Sequence, residues 1–325
     1  MTHRVGIIGL GTVGARFVEQ FTLHPEFELV AAWDADPEAC LEHAQDVTIA
    51  ANAAEVIALA DVVYIAVPPL FHRQYVQDCL TANTAIFCEK PLGIDLDESR
   101  TLVAAVETSG LPAGVNFVFS AAPSATELQA SVAARNLGDV LRGDIRLHFA
   151  KWPRAWHTRA QWLTTRAQGG WIREVLSHFL FVAGRALGPL TLRTADVHFP
   201  DGPGGTLSED SATARFDATD TPVVMIGTSG GDGPDVIDFT VRGTEGSMRI
   251  WDWYHLHRTD GGGWTDVFAA DSQALASAAF AAQLDQLSLM LEGQPHGIAT
   301  FREALNVQEL VEDMLNISGS DVEGN

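Results

Sequence analysis

The rhythm of apolar and polar positions divides the chain near residue 120. Before it, RVGIIG, ELVAAW, DVVYIAV, TAIFCE and PAGVNFV are short apolar or β-rich runs. Longer amphipathic stretches, such as 69–82 and 95–109, lie between them and read as helices. Alternation of this kind, with short polar connections, predicts a parallel sheet covered by helices on both faces. After it, a helical stretch at 123–136 leads to longer strand-like runs at 139–150, 190–199, 211–218, 221–229 and 235–250. Turn chemistry such as DATDTP and RGTEGS joins several of them. Two helical stretches, 268–292 and 300–316, close the pattern. The fold class is therefore α/β: a Rossmann-type doubly wound parallel sheet over 1–119, then an α+β domain over 120–325 with a mainly antiparallel, open-faced sheet. The last helix is expected to pack back on the first domain.

Composition adds little to this and excludes more. With 325 residues, 46% of them hydrophobic and 19% charged, the chain has enough material for two cores. No apolar run approaches the ~20 residues of a membrane span, and the opening MTHRVGIIGLG runs straight into a strand rather than a signal peptide. The three cysteines, Cys40, Cys79 and Cys88, have no CxxC spacing, so neither a disulfide framework nor a zinc knuckle is expected. A cytoplasmic protein with no membrane association follows from these features. The net charge of −22 repels a phosphate backbone, which argues against a nucleic-acid partner.

The first strand runs into Gly9-Leu10-Gly11-Thr12-Val13-Gly14, a GxGxxG at a strand-to-helix junction. Glycines suit the tight turn and the close approach of backbone to a pyrophosphate, and the helix N-terminus holds the phosphates. Asp34, at the end of the second strand, is placed to accept the ribose hydroxyls and to repel a 2′-phosphate. Ala35 follows it, with no arginine to compensate. NAD is thus preferred over NADP. Asp36, just before Pro37, is the better candidate for a helix cap.

TAIFCE, taken as the fifth strand of this domain, ends in Glu89-Lys90-Pro91. Ligands of a doubly wound sheet sit outside the carboxyl ends of its strands, so Lys90 is expected near the nicotinamide. The proline pushes Lys90 toward an extended conformation and so sets the direction of its side chain.

Gly9–Gly14, the VPPLFH run (Val67–His72), Glu89-Lys90-Pro91 and the later GGWIREVLSHF together resemble the glucose–fructose oxidoreductase and inositol 2-dehydrogenase (Gfo/Idh/MocA) family. FREALNVQEL (301–310) is similar to that family's final helix. The resemblance implies a nicotinamide-dependent dehydrogenase of sugars, cyclitols or related alcohols. In it Lys90 stands beside the substrate carbinol and His178 is the acid or base, with Glu174 four residues before it. Pro68, His72, Glu89, Lys90 and Asn116 complete the expected cofactor contacts, and the partners expected are a small-molecule substrate and a second or further copies of the chain, as a homodimer or homotetramer.

The chemistry asks for the same groups. Oxidising an alcohol releases a hydroxyl proton, which a histidine titrating near neutrality can take. A lysine ammonium can hydrogen-bond the same oxygen as negative charge develops on it. Glu174 and His178, at i and i+4, share a face if the segment is helical. Two departures from the family bear on the substrate. Glu174 stands where an aspartate is usual, moving the carboxylate by roughly 1.5 Å, and Leu176 and Phe181 stand where a small residue and an aspartate are usual. No further ligand is spaced with Glu174 and His178, so no metal site is expected.

Residues 142–173 carry Arg142, Arg146, Lys151, Arg154, Arg159, Arg166 and Arg173 against one acid, Asp144, and four of the eight tryptophans, Trp152, Trp156, Trp162 and Trp171. Arginine forks suit carboxylates and indole faces suit sugar C–H surfaces. Arg154, Trp156, Trp171 and, most sharply, Arg173 are candidate substrate contacts. The alternative is that these arginines pair with the protein's own acids or with a second subunit. A catalytically silent dinucleotide-binding sensor, or a reductase of an imine or non-sugar carbonyl, would share much of this sequence. A sensor has no chemical need for both Lys90 and His178.

Overall fold

The computed structural model describes residues 2–157, 160–202 and 204–317. They form two compact units. The first comprises residues 1–117, 156–160 and 280–306, the second 118–155, 161–279 and 307–325, as far as each is described.

In the first unit five parallel strands are ordered β2-β1-β3-β4-β5: β1 His3–Ile8, β2 Phe27–Trp33, β3 Val62–Ile65, β4 Ala85–Glu89 and β5 Ala113–Asn116. TAIFCE is thus the fourth strand in chain order, not the fifth, and pairs with β3 and β5. Every residue of β3 and β4 is buried, the pattern of strands covered on both faces. The helices between them are α1 Thr12–Leu23, α2 Pro37–His43, α3 Ala53–Leu59, α4 His72–Ala82 and α5 Leu96–Ser109. Polar caps start three of them: Asp36, Asn52 and Asp95 accept from the N–H of Glu38, Glu55 and Glu98.

The first unit is not contiguous in sequence. Leu284, Leu287, Met290 and Ile298 share one buried cluster with Val5, Ile7, Phe17, Phe21, Tyr64 and Phe87. The Val115 N–H donates to Ala299 O at 2.8 Å. A Cβ on Gly114 would stand 2.2 Å from the Ile298 side chain, so the returning chain lies directly on β5. Residues 280–291 belong to helix α8, Ser272–Leu291, which corrects one expectation: at 20 residues and a mean hydropathy of 1.2 it is long and apolar enough to cross a membrane. The part of it in the first unit buries Leu284, Leu287 and Met290 against the sheet, and Asp285 meets the His24 ring at 3.2 Å.

The second unit is built on an eight-stranded sheet ordered β13-β12-β11-β10-β6-β9-β8-β7. Its strands are β6 Val140–Phe149, β7 Leu190–His198, β8 Ser211–Ala218, β9 Thr221–Ser229, β10 Val236–Gly243, β11 Ser247–Trp251, β12 His255–Thr259 and β13 Thr265–Asp266. All neighbours are antiparallel except β6 and β9. The run 235–250 is two strands, because Gly243–Gly246 turns the chain between β10 and β11. Alternation is clear in β8 and β9: Ala212, Ala214, Phe216, Val223 and Met225 are buried, while Val224 and Ile226 point the other way at 47% and 50% exposure. On the inner face lie α6 Pro123–Ala133 and α7 Ser177–Leu187. A final helix, α9 Phe301–Ile317, has its residues from 307 on in this unit.

Candidate active site

The glycine turn follows β1. Gly9 has φ +101°, and a Cβ there would stand 2.5 Å from Ala66 O; one on Gly14 would stand 1.9 Å from Gly9 O. Both glycines are required by the protein's own packing. Gly11 is not: a Cβ there meets nothing within 4 Å, and its φ is an ordinary −66°. Gly11 is the N-cap of α1, where glycine is among the favoured residues, and the open space beside it suits backbone approaching a pyrophosphate. No side chain caps the start of α1, so the N–H groups of Thr12 and Val13 face that space with no competing acceptor from a cap. Asp34, one residue past β2, accepts from Leu10 N at 2.6 Å and Asp36 N at 2.8 Å, which pins its carboxylate against the glycine turn. The residues present fit a dinucleotide.

Three residues named for the cofactor turn out to be internal struts. His72, at the start of α4 after the Pro69–Phe71 turn, is fully buried; Nε2 lies 2.8 Å from Val67 O and Nδ1 2.9 Å from Pro91 O. Burial lowers its pKa to about 4, against the pull of the two carbonyls. It therefore packs between the loop after β3, which carries Pro68, and the loop after β4, which carries Lys90, and as a neutral ring donates to one of the two carbonyls. As a cofactor contact it is corrected, because both ring nitrogens already face protein carbonyls. Glu89, the last residue of β4, points inward. It accepts from the Tyr64 hydroxyl and, at 2.6 Å, from Asn116 Nδ2, while Gln283 Nε2 donates to Asn116 Oδ1 at 3.1 Å. Burial and the Glu89 charge raise the Tyr64 pKa well above the usual phenol value, so the hydroxyl stays a donor. This network spans the ends of β3, β4 and β5 beneath Lys90, itself 8% exposed and joined to Pro91 by a cis peptide.

In the second unit Gly169 and Gly170 precede a π-helical turn, Ile172–Leu176, that opens into α7. Glu174 lies in that turn and His178 is the second residue of α7. The face-sharing expected of an α-helix is thereby altered, because four residues fall short of one turn in π geometry. Such turns recur at functional sites. His178 is 7% exposed, with its ring edge-on to Phe119 at 6.2 Å and to Trp253 at 5.7 Å. Trp253 and its neighbour Asp252 have φ of +69° and +44°, a conformation that costs non-glycine residues of order 1–3 kcal/mol each and survives only when surroundings impose it. Those surroundings include Phe119, Phe179 and the Arg154 guanidinium, 5.5 Å from the Trp253 ring centre. Arg154 also lies over Phe149 and Trp152, at 5.5 and 5.9 Å. Trp253 thus links two predicted residues, Arg154 and His178. It was missed in the sequence, where WDWY after a strand signals only aromatic density.

The other candidates separate. Arg173 is 8% exposed; Nε and Nη2 donate to Glu312 at 2.7 and 2.8 Å, and Nη1 donates to the carbonyls of Arg166 and Gly169. A fork so engaged has little left for a substrate carboxylate, which corrects the sharpest expectation above. Trp171 is fully buried under β9, where a Cβ on Gly227 would stand 2.2 Å from its indole; it is a core residue and not a sugar platform. Trp156 lies in the first unit, 41% exposed, with the Arg16 guanidinium of α1 5.7 Å from its ring centre. Arg159 is outside the described residues.

Among the described residues, His255, His257 and Asp266 form one group with ligand atoms within 4.8 Å of one another, and His24, Glu26 and Asp285 another. In the first, Arg249 Nε donates to His257 Nδ1 at 3.0 Å. A neutral ring then carries its proton on Nε2, directed at Asp266 Oδ1 2.7 Å away, and offers a cation no lone pair.

Residues 3–117 match the family described as the oxidoreductase family, NAD-binding Rossmann fold (GFO/IDH/MocA). That match covers the glycine turn and the five-stranded sheet of the first unit. The chain is 30% identical over 140 residues to a myo-inositol dehydrogenase of Streptomyces leeuwenhoekii, covering 42% of this chain and 43% of that one. Over 182 residues it is 30% identical to the trans-1,2-dihydrobenzene-1,2-diol dehydrogenase of Bos taurus, covering 52% of each. The chain thus spans about half the length of these curated relatives. An oxidoreductase from Agrobacterium radiobacter, solved with NAD+, L-tartaric acid and magnesium, superposes with a TM-score of 0.82 over 99% of this chain and 97% of that one, at 19% identity. At that identity the likeness shows the fold.

Proposed function

We propose that the protein is an NAD-dependent dehydrogenase or reductase of a secondary alcohol or ketone in a sugar, cyclitol or sugar-derived acid. The observation that carries the reading is the glycine turn, in which a Cβ on Gly9 or Gly14 would collide with backbone while the space beside Gly11 is open to a pyrophosphate. The family match of residues 3–117 and the two dehydrogenases named above support the substrate class.

Bound NAD supplies the acceptor for the hydride that leaves the carbinol carbon. The chain supplies the rest. Asp34 accepts from the ribose hydroxyls, and its charge disfavours the 2′-phosphate of NADP. The Lys90 ammonium donates to the substrate oxygen and stabilises it as charge develops. His178 takes the hydroxyl proton at a ring nitrogen and returns it in the reverse direction. Trp253 presents an indole beside His178 for a C–H face of the substrate, and Arg154, stacked on aromatic rings, is a further candidate contact for a polar or anionic substituent. The protein works as a homodimer or homotetramer in this reading.

The test follows NADH and NADPH formation over a panel of sugars, cyclitols and sugar acids, wild type beside Lys90→Met. Turnover with NAD+ at least about tenfold better than with NADP+, falling about 10²–10⁴-fold in the variant, is the expected result. Wild-type silence across the panel in both directions, with NADH still bound, overturns it.

A further inference from the structure

One buried carboxyl takes no part in that scheme. Glu209, 2% exposed, stands just before β8. Its Oε1 accepts the Ile172 N–H at 2.7 Å, at the start of the π-helical turn that carries Glu174 and leads to His178. Its Oε2 has no hydrogen-bond partner among the described residues. The space it occupies exists because residue 170 is glycine: a Cβ there would stand 2.2 Å from Oε2, and φ is +95°. Gly169 is equally confined, 2.3 Å from Trp162 O by the same measure. Backbone bonds from Arg166 N to Thr206 O and from Ser208 N to Thr164 O fasten the strand that delivers Glu209 to the turn before the glycines. The hydrogen bond that this carboxyl accepts from Ile172 therefore lies on the segment that presents the proposed proton acceptor.

We propose that Glu209 is a positioning residue for His178, holding the π-helical turn by accepting the Ile172 N–H through the space left by Gly170. The inference rests on the proposed reaction only in naming His178 as the group positioned. Burial raises the Glu209 pKa to about 7. The Ile172 N–H and the charge of Arg173 oppose that rise, and Glu312, the partner of Arg173, adds to it. Arg173 of the turn and Glu312 of α9 are the charged groups that act on Glu209. Its ionisation therefore falls in the neutral range, where the bond to Ile172 changes from neutral to charge-assisted.

The linkage has a definite sign. A folded-state pKa above the ordinary carboxyl value means stability that is fully present below about pH 4.5 and lost as pH rises through about 7. Glu209→Gln keeps an acceptor for Ile172 and removes the titration, so its Tm should gain on wild type by about 4 °C between pH 5 and pH 8. Glu209→Leu removes the acceptor as well. The decisive readout is the His178 imidazole by NMR in full-length protein. Glu209→Gln should abolish the inflection near pH 7 that Glu209 imposes on the His178 ring resonances. With substrate, kcat should fall about tenfold in Glu209→Gln and further in Glu209→Leu, with the KM for NAD+ unchanged. His178 resonances and a Tm–pH curve identical to wild type in Glu209→Gln would overturn the proposal, even if Glu209→Leu fails to fold. A wild type without dehydrogenase turnover would sink the proposed reaction, while the resonances and the Tm curve still decide the role of Glu209.

Discussion

Single residues in this protein answer different questions although they share a motif. Gly9, Gly11 and Gly14 are indistinguishable as letters, yet Gly9 and Gly14 meet backbone within 2.5 and 1.9 Å of a Cβ and Gly11 meets nothing. Gly11→Ala should accordingly keep the wild-type Tm while weakening NADH binding on the order of tenfold, read by fluorescence titration. Gly14→Ala should fail to give soluble, cooperatively melting protein, because neither contacting atom belongs to a flexible side chain. Equal thermal damage from both substitutions would remove the argument for an external ligand at Gly11. The same divergence separates Glu89 and Lys90. They are adjacent and both buried, but Glu89 faces Tyr64 and Asn116 while Lys90 ends the strand. The EKP motif located both and said nothing of the strut beneath.

Among the elements, α7 and its π-helical opening show what periodicity can and cannot reveal. From the i, i+4 spacing of Glu174 and His178 a helix here is only a condition, and the structure supplies it as α7 behind a π-helical turn. The widened turn was not foreseeable, since its cause is tertiary: Glu209 holds the Ile172 N–H and Glu312 takes the Arg173 fork from 139 residues away. A buried pair of this kind is costly to break singly. Arg173→Leu should destabilise the protein by about 3–5 kcal/mol, whereas Arg173→Leu with Glu312→Leu should recover most of that, measured by urea denaturation. Additive losses would mean that the two side chains are not coupled. An arginine beside Glu174 suits a substrate carboxylate, and nothing local distinguishes a ligand's carboxylate from the protein's own Glu312.

At the level of the whole chain, the two units are each assembled from separated segments. The strand order of the first unit follows from alternating patterns and right-handed crossovers, which act over neighbouring elements. Its recruitment of 280–306 has no local signature: α8 reads as an apolar helix that any core could accept. The outward side chains of Val224 and Ile226 leave apolar area on the open face of the eight-stranded sheet, where the proposed oligomer is expected to form. The double variant Val224→Glu, Ile226→Glu should therefore shift the protein from oligomer to monomer in light scattering. A wild type that scatters as one chain would dismiss the assembly.

Sequence by itself determined the α/β class, the sheet of the first unit, the glycine turn with its acid, and the placing of Lys90 and His178 in motifs. These depend on residue period and short spacing, which the chain carries locally. Tertiary structure alone decided that His72 braces two loops, that Trp171 is core, that Trp253 joins Arg154 to His178, and that Glu312 and Glu209 hold the segment around Arg173. Each of these depends on which distant group arrives at hydrogen-bonding or van der Waals distance, and burial then sets what the side chain is free to do.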